Sequence, residues 1–188
     1  MQLALFAAVP EEVGTLADQT NLTGIGRENA TRSIVRFIEK HKGTPFHILN
    51  IGTVGSHDRP VGTILRIKEI VSAGKPFNAQ RMLPDLLPGH YRGVEDAVLY
   101  SSDCFVSPSV FTRQYLDSIK SEADCFDMES SALFTVAHCH GIPYSSFKIV
   151  SDNLDVTIEE WRARVQELSQ KLELFVREQV LSTALLLH

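Results

Sequence analysis

The stretch "MESSALFTVAHCHGIPYSSFKIVSDN", residues 128–153, decides the fold. Its first half reads as a helix, stopped by Gly141 and Pro143, neither of which extends one. Its second half holds "SSFKIV" (145–150), an apolar run with the length and composition of a buried strand. Helix, sharp stop and buried strand follow one another without a linker, which is the unit from which alternating α/β proteins are built.

The alternation continues in both directions. Toward the N-terminus, "LALFAAV" (3–9), "FHILNIG" (46–52), "TILRIKEIV" (63–71) and "AVLYSS" (97–102) read as strands. Between them, "EEVGTLAD" opens a helix. "GIGRENATRSIVRFIEKHKG" is a one-sided helix, with Ile34, Val35, Phe37 and Ile38 among polar residues and a stop at Gly43. "SPSVFTRQYLDSI" (107–119) is a helix with Pro108 suited to its first turn. After residue 153, "TIEEWRARVQELSQKLELFVREQVLSTALLL" is a long amphipathic terminal helix. The segment from Ser72 to Glu95 is rich in Pro, Gly and charge and reads as loop or an irregular excursion. No repeat, low-complexity run or linker interrupts the pattern. The expectation is one α/β domain over residues 1–188, a three-layer α/β/α arrangement around a central mixed, mainly parallel sheet.

With 188 residues the chain is long enough for a sizeable core, and 44% hydrophobic with 22% charged residues is ordinary for a soluble globular protein. The net charge of −5 and the scattered Lys and Arg argue against nucleic acid or an anionic membrane as a partner. The first strand lacks a basic leader and is too short for a signal peptide or a membrane span. "NLT" and "NAT" match a glycosylation pattern but have no export signal beside them. Three cysteines, Cys104, Cys125 and Cys139, lack metal-ligand spacing and suit a reduced, cytoplasmic protein. On a helix His138 and His140 point to nearly opposite sides, so no metal site is expected, and no motif calls for a cofactor.

In open α/β sheets ligands bind beyond the carboxyl ends of the strands. The residues just past the expected strands are Pro10–Glu12, Thr53–Ser56, Asp103–Val106 and Ser151–Asn153, which brings Glu12, Thr53, Phe105 and Asp152 to one edge. Taken singly, these signals have plainer readings. Glu11 and Glu12 suit the positive end of a helix. "NIGTVGS" (50–56) can approach an anion or a sugar, or simply turn. In "DMES" Asp127 can cap a helix, with Glu129 at the helix dipole and Met128 filling the core. "SDN" (151–153) can be an Asx-type turn. Lys148 and Asp152 share a side of their strand, but four residues at about 3.3 Å each keep them from a direct ion pair.

Their order along the chain is more specific. "LALFAAVPEEV", "TGIGRENA", "NIGTVGS", "SSDCFVSPS", "FDMESSAL" and "PYSSFKIVSDNLD" together resemble the nucleoside phosphorylase/nucleosidase superfamily, most closely the 5′-methylthioadenosine/S-adenosylhomocysteine nucleosidases. The resemblance runs from Met1 to about Asp155. It implies that Asp152 is the general acid protonating the departing purine at ring nitrogen seven, and that Glu12 orients and activates the attacking water. Glu129 would grip the ribose hydroxyls, with Met128 packing beneath the sugar. Phe105 would stack on the base, and main-chain groups at Val106 would read its edge. Thr53 would stand near the nucleophile, Ser151 beside the acid, and Lys148 where many nucleosidases have Arg. Further implications are a small-molecule nucleoside substrate, a cytoplasmic homodimer and a place in purine nucleoside metabolism and methionine salvage.

This chemistry needs those residue types. A purine anion leaves poorly, so an acid must deliver a proton as the glycosidic bond breaks. The ribose then carries oxocarbenium character, which a second carboxylate can stabilise while activating water. A phosphorylase would instead hold phosphate, usually through several Arg side chains, and no Arg-bearing loop follows the first strand. Hydrolysis is therefore the expectation. A phosphate-dependent phosphorylase and a non-catalytic nucleoside-binding protein are the alternatives. The chain departs from the family by passing from the first helix almost directly into "NLTGIGRENA" and by its unmatched Ser72–Glu95 segment.

Overall fold

The computed structural model describes residues 2–72 and 80–183. Eight strands and four helices alternate along them: β1 (Gln2–Ala7), β2 (Thr20–Leu22), α1 (Arg27–Lys40), β3 (Phe46–Ser56), β4 (Ile64–Ser72), β5 (Gln80–Met82), β6 (Val94–Ser101), α2 (Arg113–Lys120), β7 (Cys125–Asp127), α3 (Ser130–Cys139), β8 (Tyr144–Asp152) and α4 (Ile158–Phe175). The expected α/β architecture is present, and the sheet is mixed but mainly parallel. β1 pairs in parallel with β2 and β3, β3 with β8, and β6 with β4 and β7. The β3–β7, β4–β5 and β4–β8 pairings are antiparallel.

The strands between these partners do not lie in one open row. β3, β8, β4, β6 and β7 pair in a ring, closed where Gly55 and Ser56 of β3 meet Phe126 and Cys125 of β7. Each strand of the ring thus has a partner on both sides over part of its length. β1 and β2 extend it on one side, and β5 hangs from β4.

Alternate residues of each strand feed two cores. Ala4, Phe6, Ile48 and Val150 face Ala30 and Ile34 of α1 and Leu133 and Ala137 of α3. Leu5, Ala7, Leu49, Ile51 and Phe147 face Leu172 and Phe175 of α4. Helices thus cover both sides of the sheet, as the sequence led one to expect. α2 caps a third cluster with Tyr100, Phe126 and Leu154. Among the described residues no helix is long and apolar enough to cross a membrane.

Several expected elements differ in detail. The "EEVGTLAD" segment forms two short 3-10 turns, because Gly14 adopts φ +55° and interrupts an α-helix. β3 runs on through the glycines to Ser56, so "NIGTVGS" is strand rather than turn. The helix predicted over 107–119 begins only at Arg113, capped by the Thr112 hydroxyl, leaving Pro108 in the preceding turn. β7 is a strand of three residues where none was expected. α4 passes into π-helix over Val176–Leu181. Within the expected Ser72–Glu95 excursion, β5 forms at its middle, and residues 73–79 lie outside the described residues, as do 184–188 of the expected terminal helix.

One buried ion pair fastens the ring internally. Lys148 Nζ of β8 lies 3.2 Å from Asp127 Oδ2 of β7, with side chains only 4% and 2% exposed. The same ammonium reaches Asn50 Oδ1 of β3 at 3.4 Å, and Asn50 Nδ2 donates to Ser130 Oγ at 2.9 Å and Tyr144 Oη at 2.8 Å. Asp127 also accepts the Ser130 N–H at 3.2 Å and the Ser130 hydroxyl, so it caps α3 as expected while pairing with Lys148. Burial disfavours a charged Lys148, yet Asp127 and its acidic neighbours outweigh that and raise its pKa. Removing one partner of a buried pair strands the other. Lys148→Met should therefore lose about 3–5 kcal/mol of stability in urea unfolding; a loss below ~1 kcal/mol would show that the pair does not fasten the ring.

Candidate active site

A cavity of about 340 Å³ opens at the carboxyl ends of β1, β3 and β8, where topology predicted a site. Eight of the nine residues singled out in the sequence line it: Glu12, Thr53, Phe105, Val106, Met128, Glu129, Ser151 and Asp152. Lys148 does not. Its ammonium sits behind the wall against Asp127, because its position on β8 aims it at β7 rather than into the opening.

Glu12 is held by four donors. The chain leaves β1 and folds back through the Pro10–Glu12 turn, so one carboxylate oxygen faces the backbone N–H groups of Ala8 at 3.2 Å and Val9 at 3.4 Å. The other accepts the Thr53 N–H at 2.9 Å and the Thr53 hydroxyl at 2.6 Å. This approach to β3 requires Gly52: a Cβ there would lie 3.1 Å from the carboxylate. Thr53 Oγ1 in turn accepts the indole N–H of Trp161 at 3.2 Å. Glu12 is 6% exposed, and its donors suit an ionised acceptor.

Asp152 ends β8 and is 1% exposed. Its Oδ1 accepts the Leu154 N–H at 2.9 Å, in a tight turn that puts Leu154 at φ +68°. Its Oδ2 lies 2.7 Å from Ser151 Oγ, which is also 3.2 Å from the Val54 carbonyl. One hydroxyl proton cannot serve both oxygens. When it points to Val54, Ser151 Oγ is free to accept a hydrogen bond from a proton on Asp152 Oδ2. A register shift between Val54 and Gly55 brings Gly55 opposite Asp152, and a Cβ at Gly55 would come within 2.5 Å of Leu154 and 3.0 Å of Asp152 Oδ1.

Glu129 stands at the N-terminal end of α3, 9% exposed, and accepts the Gly26 N–H at 2.7 Å. Burial first, then the charges of Asp127 and Glu12, push its pKa up to about 8, against the pull of Lys148 and the Gly26 N–H. The "TGIGRENA" turn thus serves the site through one backbone donor. Phe105, Val106 and Met128 line the same chamber, which is mostly apolar apart from its acids.

Three contributors were not singled out in the sequence. Trp161, in the first turn of α4, lines the cavity and bonds to Thr53; it was read as part of a terminal amphipathic helix. The signal was the capping pattern "TIEE", which starts α4 directly after the Asp152 strand. Ile158 shares that turn. Asp127 was read as a cap alone; an acid and a lysine in two buried segments were the clue that they pair. Among the described residues no group of three or more His, Cys, Asp or Glu is arranged to hold a metal ion.

Comparison with known proteins bears on this geometry. Residues 89–180 match the family model of the phosphorylase superfamily. A search by sequence alone finds no match among curated proteins. By structure, the chain is similar to 5′-methylthioadenosine/S-adenosylhomocysteine nucleosidase from Helicobacter pylori with butyl-thio-DADMe-Immucillin-A, at TM-score 0.75 and 15% identity, covering 94% of this chain and 97% of that one. It is similar to futalosine hydrolase of Helicobacter pylori at TM-score 0.74 and 15% identity, covering 94% and 96%. The Neisseria meningitidis 5′-methylthioadenosine/S-adenosylhomocysteine nucleosidase in complex with methylthio-immucillin-A gives TM-score 0.75 at 17% identity, covering 93% and 96%. The resemblance read from the motifs is matched by the family model in the second half and by the fold throughout: this chain carries the fold of the phosphorylase superfamily.

Proposed function

We propose that the protein is a nucleosidase, hydrolysing the N-glycosidic bond of a purine nucleoside or thionucleoside such as methylthioadenosine, S-adenosylhomocysteine or a futalosine-type conjugate. The observation that carries this reading is electrostatic. Among the described residues the cavity lining includes the four acids Glu12, Asp127, Glu129 and Asp152 and neither Lys nor Arg. The nearest ammonium, that of Lys148, is already engaged by Asp127. Without a cationic side chain in the lining a phosphate dianion has no counter-charge to hold it, which suits neutral water as the nucleophile.

In this reading Asp152 donates its proton to the purine as the C–N bond breaks, with the electron pair leaving on the base. Ser151 holds that proton until transfer and can then turn its hydroxyl toward the new carboxylate. Glu12, whose carboxylate is oriented by four donors, takes a proton from water as the oxygen adds to the ribose carbon. The products are free base and the free sugar. Glu129 accepts from the ribose hydroxyls, Met128 lies beneath the sugar, and Phe105 stacks on the base with Val106 at its edge. Lys148 acts from behind, holding Asp127 so that Glu129 keeps its setting. The homodimer, the cytoplasmic location and the role in methionine salvage belong to the same reading.

Base release should be followed by chromatography over methylthioadenosine, S-adenosylhomocysteine, adenosine, inosine and futalosine, with and without inorganic phosphate. Release without phosphate is expected, and Asp152→Asn should abolish it while leaving the unfolding temperature unchanged. Release only with phosphate would overturn the hydrolytic reading.

A second expectation concerns pH. Below about 8 Glu129 of the empty pocket carries a proton, which must leave before the carboxylate can accept from ribose. Nucleoside binding to the Asp152→Asn variant, measured by calorimetry, should therefore tighten as pH rises from 6 to 8, by up to ~tenfold per unit, and level off above. Glu129→Gln should make the profile flat. Affinity independent of pH in the presence of Glu129 would contradict the assigned ribose contact.

A further inference from the structure

We propose that Trp161 is a positioning residue for Glu12, acting through the Thr53 hydroxyl; the inference rests on the nucleosidase reading above. The argument is one of donors and acceptors. The indole N–H can only donate, and it points at Thr53 Oγ1 from 3.2 Å. That hydroxyl has a single proton, and with one lone pair engaged by the indole its proton is directed to Glu12 Oε1 at 2.6 Å. Trp161 therefore fixes the direction of the hydrogen bond that Glu12 receives. A chain of bonds polarised in one direction strengthens each member. Its effect is to hold Glu12 Oε1 in one orientation, the positioning that activation of water needs.

The placement of Trp161 is itself secured. Thr157 and Glu160 form a reciprocal cap, with Glu160 Oε2 accepting the Thr157 N–H at 2.7 Å and Thr157 Oγ1 accepting the Glu160 N–H at 3.2 Å, while the Trp161 N–H bonds to the Thr157 carbonyl at 2.9 Å. Farther along the helix, Glu173 accepts the Thr15 N–H at 3.0 Å and Arg177 Nη2 donates to Thr15 Oγ1 at 3.0 Å. α4 thus grips the Glu12-bearing segment at two points, one through Thr53 and one just beyond the turn itself.

The test combines kinetics with one spectroscopic signal. Trp161→Phe keeps an aromatic wall and removes only the N–H function and one ring. It should lower kcat for base release by about three- to tenfold, the worth of one net hydrogen bond, with KM changed less than ~twofold. In a Thr53→Val background the same substitution should cost nothing more. A raised KM with kcat intact, or losses that multiply in the double variant, would reduce Trp161 to a wall residue and overturn the proposal. A second arm does not depend on turnover or on the Trp161 variant folding. The chain has one Trp, so one indole 1H–15N signal reports the relay. Glu12→Gln should shift that signal when Thr53 is present and leave it unmoved in Thr53→Val. A signal indifferent to Glu12 with Thr53 present overturns the relay whether or not the protein releases base. A wild-type protein silent across the nucleoside panel with the relay signal present would instead count against the nucleosidase reading alone.

Discussion

Four carboxylates share one small cavity, and a single buried ammonium makes their company tolerable. Lys148 lies within an ion pair of Asp127, and its field extends to Glu129 and Glu12. Without a cation at that depth, like charges so close would neutralise one another by taking up protons. The position is effective because it is withdrawn. An ammonium inside the cavity would pair with Glu12 or Asp152 and blunt both. Behind the wall it neutralises Asp127, caps the polar network of Asn50, Ser130 and Tyr144, and leaves the mouth to the acids. Glu129 carries the remaining strain of this arrangement as a raised pKa.

The pairing of β3 with β8 turns that electrostatic design into geometry. Thr53 and Ile149 are in register on neighbouring strands, and the shift after Val54 brings Gly55 opposite Asp152. Both strand ends therefore border one opening, with Asp152 on β8 and Glu12 buttressed by Thr53 of β3. The two glycines on β3 are what allow side chains from other elements to come so close: Glu12 over Gly52, Leu154 and Asp152 over Gly55.

Much of this was legible in the sequence, for physical reasons. Elements such as β1, α1 and β8 announce themselves because a buried strand leaves a continuous apolar run and a one-sided helix a periodic one. The cavity-lining Glu12, in the turn after β1, and Asp152, at the end of β8, were found by asking what lies at the strand ends. Short elements leave no such trace. β7 is the tripeptide Cys125–Asp127 and has no period to read, yet it closes the ring. Its absence from the sequence reading is why the closure of the sheet went unforeseen, and why Asp127 was seen only as a cap. Lys148 was drawn toward the cavity by analogy with an arginine; only the ring shows that its side of β8 faces β7. Trp161 escaped notice because an aromatic at the start of an amphipathic helix looks like core.

The bond between Trp161 and Thr53 joins residues 108 positions apart, and Ser151 meets Val54 across 97. These long reaches set an order of events during synthesis. Domains are made from the N-terminus at a few residues per second, and contacts wait for the later partner to emerge. The strand carrying Thr53 is complete early, but until β8 arrives its long flank is unpaired, and until α4 follows the apolar side of Leu49, Ile51 and Phe147 stays uncovered. The nascent chain is thus most exposed to aggregation until β8 and α4 have both emerged, and its cavity is assembled only then. A ligand that recognises the finished pocket would bind only chains that have completed this sequence, and so would favour the folded state at the moment it first exists.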